Sequence, residues 1–175
     1  MTEHSPEIPS SSCPTEMEVK FSLRSANAML PLVRSIVRDI VQLSGEISQI
    51  RSRLDELGVA DEPDDPADVY STEVAAIRAS VDRQSDRVRE CVAELNELGV
   101  WPRSLLAGYV DFPAVREGEE VCLCWRLGES EVMYWHRADE PCSSRRLADL
   151  SLIRQSGNLL QLSGCLLYTS PSPRD

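Results

Sequence analysis

Two apolar seams, separated by a stretch of prolines and carboxylates, constrain this chain more than any other feature. Met29, Val33, Ile36, Ile40, Leu43, Ile47, Ile50, Leu54 and Leu57 step by four and three residues. That spacing lines apolar side chains along one side of an α-helix. Val74, Ile77, Val81, Val88, Cys91, Leu95 and Leu98 repeat the stepping, with Gln84 as the polar seam position. Between them, residues 58–71 (GVADEPDDPADVYS) carry every local mark of a loop. The pattern predicts a long antiparallel helical hairpin, coiled-coil-like, over about 23–57 and 72–98. Ser22 stands as its N-cap with Phe21 as a hydrophobic staple, and Gly58 and Gly99 close the helices. Pro31 falls in the first turns, which predicts a kink or a short lead helix over 23–30.

Two helices alone bury too little to be stable. The seam must be completed by the C-terminal region, by a second copy, or by both. This argument favours a homo-oligomer formed through the hairpin.

After Gly99 the period changes. Residues 108–112 (GYVDF) read as a first strand stopped by Pro113, 120–126 (EVCLCWR) as a second and 131–136 (EVMYWH) as a third. Turns at 116–119 and 127–129 join them. The fold class expected is therefore α+β, a helical hairpin followed by a small three-stranded antiparallel meander. In the second strand Val121, Leu123 and Trp125 share one face, and Cys122, Cys124 and Arg126 the other.

The domain spans 21–148. Residues 1–20, rich in Ser, Pro and Glu, read as a disordered tail. Beyond about 149 the pattern dissolves into an unstructured tail, and the final CLLYTSPSPRD resembles a translated sequencing-adaptor end. It is set aside from functional reasoning.

Charge and composition exclude several classes. Lys and Arg number 18 against 29 Asp and Glu, a net −11. That field opposes phosphate backbones, and no basic patch offsets it, so nucleic acid is not an expected partner. No stretch approaches the roughly 20 apolar residues that span a bilayer, which argues against a membrane partner. The first twenty residues lack the apolar core of a secretion signal, so the expected location is cytoplasmic. The six cysteines are then read as reduced thiols. The common nucleotide-binding, zinc-protease and hydrolase motifs do not occur.

The residues that could carry chemistry gather at the strand ends. Asp111, Glu129, His136 and Asp139 are the candidate catalytic groups, because a histidine beside carboxylates titrates near neutrality and can move a proton. Arg145, Trp125 and Trp135 are the candidate ligand contacts, a bidentate anion clamp and two stacking platforms. Cys124 and His136, with Cys122 and Asp139, offer an N/S/O donor set for a metal. The usual paired CxxC of zinc sites is missing, so the sequence assigns no metal and no cofactor. Each group also has a structural alternative: a histidine bonded to backbone, cysteines and tryptophans filling a core, arginines in solvent.

Phe21-Ser22, Ala26-Asn27 and Leu30-Pro31, then GYVDFP over 108–113, LCWRLGE over 123–129 and YWH over 134–136 with Asp139 and Arg145, resemble the bacterial domain-of-unknown-function 2203 family across residues 20–148. The resemblance implies the domain boundaries and singles out Asn27, Asp111, Phe112, Cys124, Trp125, Gly128, Glu129, Trp135, His136, Asp139 and Arg145. It implies no reaction. The chain departs from the family at Pro141 and Ser144, where relatives tend to carry glycine, in the loop leading to Arg145. The leading expectation is a homo-oligomeric interaction or regulatory module. The alternative is a small-molecule or metal-binding protein, or an enzyme, with its site around Asp111, Glu129, His136, Asp139 and Arg145.

Overall fold

A computed structural model of the chain describes residues 20–58 and 69–148. The expected tails and most of the expected interhelical loop lie outside those residues. The first helix, α1, runs Leu23–Glu56, and the second, α2, runs Val69–Glu97. Ser22 and Ser25 form a capping box: Ser25 N donates to Ser22 Oγ (3.1 Å) and Ser22 N donates to Ser25 Oγ (2.9 Å). Ahead of it, Phe21 is buried edge-on against Phe112, with ring centroids 5.3 Å apart, and its N–H donates to the Pro113 carbonyl at 2.6 Å. The start of α1 is thus fixed to the sheet. No separate lead helix forms, since α1 continues unbroken through Pro31. At the far end of α2, Gly99 has φ +76°, Val100 N donates to Leu95 O and Gly99 N to Asn96 O, a Schellman stop.

The sheet has five antiparallel strands in the order β1-β2-β3-β4-β5: Trp101–Ser104, Tyr109–Arg116, Glu119–Arg126, Tyr134–Arg137 and Arg146–Leu147. The expected three-stranded meander is its centre. The sequence Trp-Pro-Arg-Ser of β1 shows no alternation, and β5 is two residues long, so neither carried a strand signal. Nor does Pro113 stop β2. The Pro113 carbonyl points to Phe21, so its ring nitrogen faces the same way, past the end of the β1 pairing, and no ladder bond is lost. The third strand begins later than expected, at Tyr134, because the preceding Val132 bonds Asn27 on α1 through both its N–H (2.8 Å) and its carbonyl (3.2 Å).

One face of the sheet meets the helices. Val110, Phe112, Ala114, Val121, Leu123, Trp125 and Trp135 join Leu30, Val33, Val37, Ile40 and Leu95 in one core. Each large side chain fully buried there stabilises the fold by about 1.5 to 3 kcal/mol. Val37 and Leu30 lie off the four-three seam and are buried because the sheet, not α2 alone, covers α1. Gly108 marks the closest approach: at φ +66°, an added Cβ would lie 2.8 Å from Leu127 Cβ and 3.0 Å from Val41 Cγ2. Further out, Leu54 and Val74 form a separate small cluster with Ile50, and Gln84 Nε2 donates to Glu46 at 3.2 Å. These contacts set the helices side by side in opposite directions. Gly118 (φ +87°) and Glu117 (φ +54°) make the tight β2–β3 turn.

Candidate metal centre

The second face of the sheet would ordinarily meet water. Here Asp111, Cys122, Cys124 and His136 are all fully buried on it. The strand pairing explains their grouping. Asp111 on β2 lies directly opposite Cys124 on β3, and His136 on β4 pairs with Cys122, one step diagonal from Cys124. Over them passes the β4–β5 connection, whose short 3-10 turn spans Cys142–Ser144. Its residues Pro141-Cys-Ser-Ser-Arg145 offer no aliphatic anchor. Pro141, Ser143 and Ser144 are exposed, whereas Cys142 and Arg145 are half-buried and turn toward the sheet.

One donor atom from each of Asp111, Cys124, His136 and Cys142 lies within 4.8 Å of every other. His136 Nδ1 stands 2.7 Å from the Arg137 carbonyl, which can only accept, so that nitrogen carries the proton. The other nitrogen, Nε2, stands 3.1 Å from Asp111 Oδ1. A neutral imidazole would point a lone pair at a carboxylate there, so this contact requires either a second proton or a cation. The second carboxylate oxygen, Asp111 Oδ2, is buried and accepts no hydrogen bond. Arg103 Nε lies 3.3 Å from it, close enough to pair its charge but without hydrogen-bond alignment.

The protonation pattern follows from this packing. Burial opposes a charged His136, but the hydrogen bonds with Asp111 and Cys142 outweigh it and raise its pKa to about 10. The shared hydrogen bond of the two thiols separates them. It lowers Cys142 to about 5, against burial and with help from His136, and it drives Cys124 strongly upward together with burial. These shifts favour an imidazolium at His136 and a thiolate at Cys142, with Arg103 beside the group.

Arg145 stacks on Tyr134 (4.4 Å) and Tyr109 (5.3 Å) and reaches Glu129 bidentately at 2.6 and 3.2 Å. It also interacts with the Cys124 thiol. Glu129 in turn accepts from Arg126 N at 2.9 Å.

Asp111 and His136 come together, with Cys124 between the strands that carry them. Glu129 and Arg145 form a neighbouring ion pair. Asp139 is exposed and stands outside the group; the next residue, Glu140, instead binds Arg146 bidentately at 2.7 and 3.0 Å. Trp125 is fully buried on the opposite, helix-facing side, its N–H donating to the Glu129 carbonyl at 3.1 Å. Trp135 is also on that side, sandwiched by Arg116 (4.5 Å) and Arg146 (5.2 Å). The donor the sequence analysis missed is Cys142. Its one signal is a cysteine six positions after His136, a spacing too common to stand out.

A family model described as an uncharacterized conserved protein (DUF2203) matches residues 20–148, which include both helices and all five strands. No curated protein and no solved structure matches the chain.

Proposed function

The chain belongs to the domain-of-unknown-function 2203 family, and on that premise we propose that it is a metalloprotein holding one zinc-class divalent ion through Asp111, Cys124, His136 and Cys142. A tetrahedral zinc site places N and O donors about 3.3 Å apart and paired sulfurs about 3.8 Å apart. The four donors, all within 4.8 Å, need to close by no more than about 1.5 Å. The observation that carries the reading is His136. Its Nδ1 is committed to the Arg137 carbonyl, the outer partner that orients a metal-bound imidazole, and this leaves Nε2 aimed into the group. Two thiolates, a carboxylate and a dication sum to −1, which Arg103 offsets. Four protein donors beneath a covering turn make a closed, structural site. In this reading the ion ties the β4–β5 turn to three strands that the turn has no apolar side chains to grip.

The test of the metal reading is elemental analysis of protein purified without added metal. About one equivalent of zinc per chain is expected, removable by a strong chelator with loss of thermal stability. A metal-free protein that takes up no zinc on dialysis contradicts it.

A second reading concerns the outer end of the helix pair. The sheet supplies the cover that two helices cannot supply for each other, so a second copy is not required near β1–β5. On either side of the Leu54–Val74 cluster, however, Leu57 is 59% and Ile77 41% exposed. These side chains support self-association through the distal hairpin. Light scattering distinguishes a dimer from a monomer, and Leu57→Glu with Ile77→Glu should dissolve the dimer.

A further inference from the structure

The two cysteines of the proposed centre differ in a way a purely structural site does not need. Cys124 is fully buried on β3, while Cys142 is half-buried on a turn whose neighbours Ser143 and Ser144 are exposed. Their sulfurs are within 4.8 Å of one another, near the separation that two ligands of one tetrahedral ion share. A disulfide requires closure to about 2.05 Å. One partner sits on a turn whose Pro141, Ser143 and Ser144 are exposed, while the other is fixed in the sheet.

We propose that Cys124 and Cys142 form a redox couple, and that a hydroperoxide oxidises them to a disulfide and thereby releases the ion. This rests on the metal reading above. The metal-bound Cys142 thiolate attacks one oxygen of the peroxide, breaking the O–O bond and expelling hydroxide, to give a sulfenic acid. The Cys124 thiolate then attacks that sulfur and displaces a second hydroxide. Two thiolates lose two electrons, the peroxide gains them, and the S–S bond replaces two metal–sulfur bonds. Asp111 and His136 alone then hold the ion too weakly to retain it.

Cys122 is the internal control. It is fully buried on the same sheet face, beside Cys124 in β3, yet it does not belong to the four-donor group. The experiment uses the full chain loaded with zinc and freed of excess. Hydrogen peroxide is added at about one to ten equivalents, with a colorimetric chelator reporting zinc and mass spectrometry mapping the cysteines. The expected result is stoichiometric zinc release, a mass loss of two hydrogens, and one cross-linked peptide pair carrying Cys124 and Cys142. Dithiothreitol with zinc should restore the starting state. Cys122→Ser should release zinc at the same rate. Zinc retained under excess peroxide overturns the redox inference and leaves the metal reading standing. So does release accompanied by sulfinic acid, or a cross-link through Cys122. If the protein binds no zinc before peroxide is added, the metal reading and the zinc-release step fall, and the cross-link in the metal-free chain decides the couple. As a second arm that needs no loaded protein, the metal-free chain treated with peroxide should give the same Cys124–Cys142 cross-link, and its absence there also overturns the couple.

Discussion

His136 stands with Nε2 3.1 Å from Asp111 Oδ1 and Nδ1 2.7 Å from the Arg137 carbonyl, both side chains fully buried. A carbonyl on one side and a carboxylate on the other leave the ring only two acceptable states: doubly protonated, or singly protonated with a cation at Nε2. Most of what this protein is expected to do in solution follows from the competition between that proton and a metal ion.

Replacing the carboxylate tests the pair from one side. Asp111→Asn keeps the shape but removes the charge that both the imidazolium and the metal require. Breaking a buried ion pair costs about 3 to 5 kcal/mol, read as a shift in the urea midpoint. The gap from wild type should be wider in zinc than in chelator, because zinc stabilises only the chain that still has four donors. An equal gap in both conditions would show that Asp111 acts through His136 alone.

Metal binding should also release protons. At neutral pH the metal-free group carries one proton to lose from His136, raised to about 10, and one from Cys124, raised further, while Cys142, lowered to about 5, is already a thiolate. Zinc uptake in weak buffer at pH 7 should therefore release about two protons per ion. The sign follows: raising the pH removes the competing protons, so affinity increases by about two decades per pH unit between roughly 6 and 9. Calorimetry in buffers of different ionisation enthalpy counts the protons. A count near zero contradicts the arrangement.

The covering turn should come loose when its sulfur is removed. Cys142→Ser leaves the strand residues in place, so circular dichroism should stay close to wild type. Amide exchange over residues 138–147 should rise by about tenfold or more, as expected for a segment with few buried contacts. Uniform acceleration across the whole sheet would show that Cys142 supports the fold globally.

Gly108→Ala probes the packing between the two layers. The position has φ +66° and sits against Leu127, Val41 and Val37, so any Cβ meets both a strained backbone and a clash at 2.8 Å. Such a combination costs about 2 to 4 kcal/mol. Thermal denaturation of the chelator-treated protein measures it free of any metal contribution, and a change below about 0.5 kcal/mol would show that the layers yield easily.

How much of this was legible depended on the length of each signal. The helices repeat one spacing over many turns, and the capping serine and stop glycines agree with it. The central strands were legible from the alternation in Val121–Trp125, but β1 and β5 are too short and irregular to leave a pattern. Asp111 and His136 stood out as polar residues at the strand ends. Their burial did not, because the second face of a sheet is solvent-exposed by default, and among the described residues it is the distant turn carrying Cys142 that lies against it. Cys142 itself lies in a loop of serines, where a cysteine has no local marker. The pairing that gives it meaning comes from register, which places three strands and a turn around one point.

The most direct test substitutes cobalt for zinc. Cobalt(II) in a tetrahedral site with two thiolates gives strong visible ligand-field bands and a near-ultraviolet sulfur-to-metal charge-transfer band. The account predicts both for the wild-type chain at about one equivalent of cobalt, and a charge-transfer band reduced to about half in Cys142→Ser and in Cys124→Ser but unchanged in Cys122→Ser. A weak, octahedral-type spectrum, or one indifferent to Cys142 and Cys124, would contradict the claim that these residues hold a metal ion.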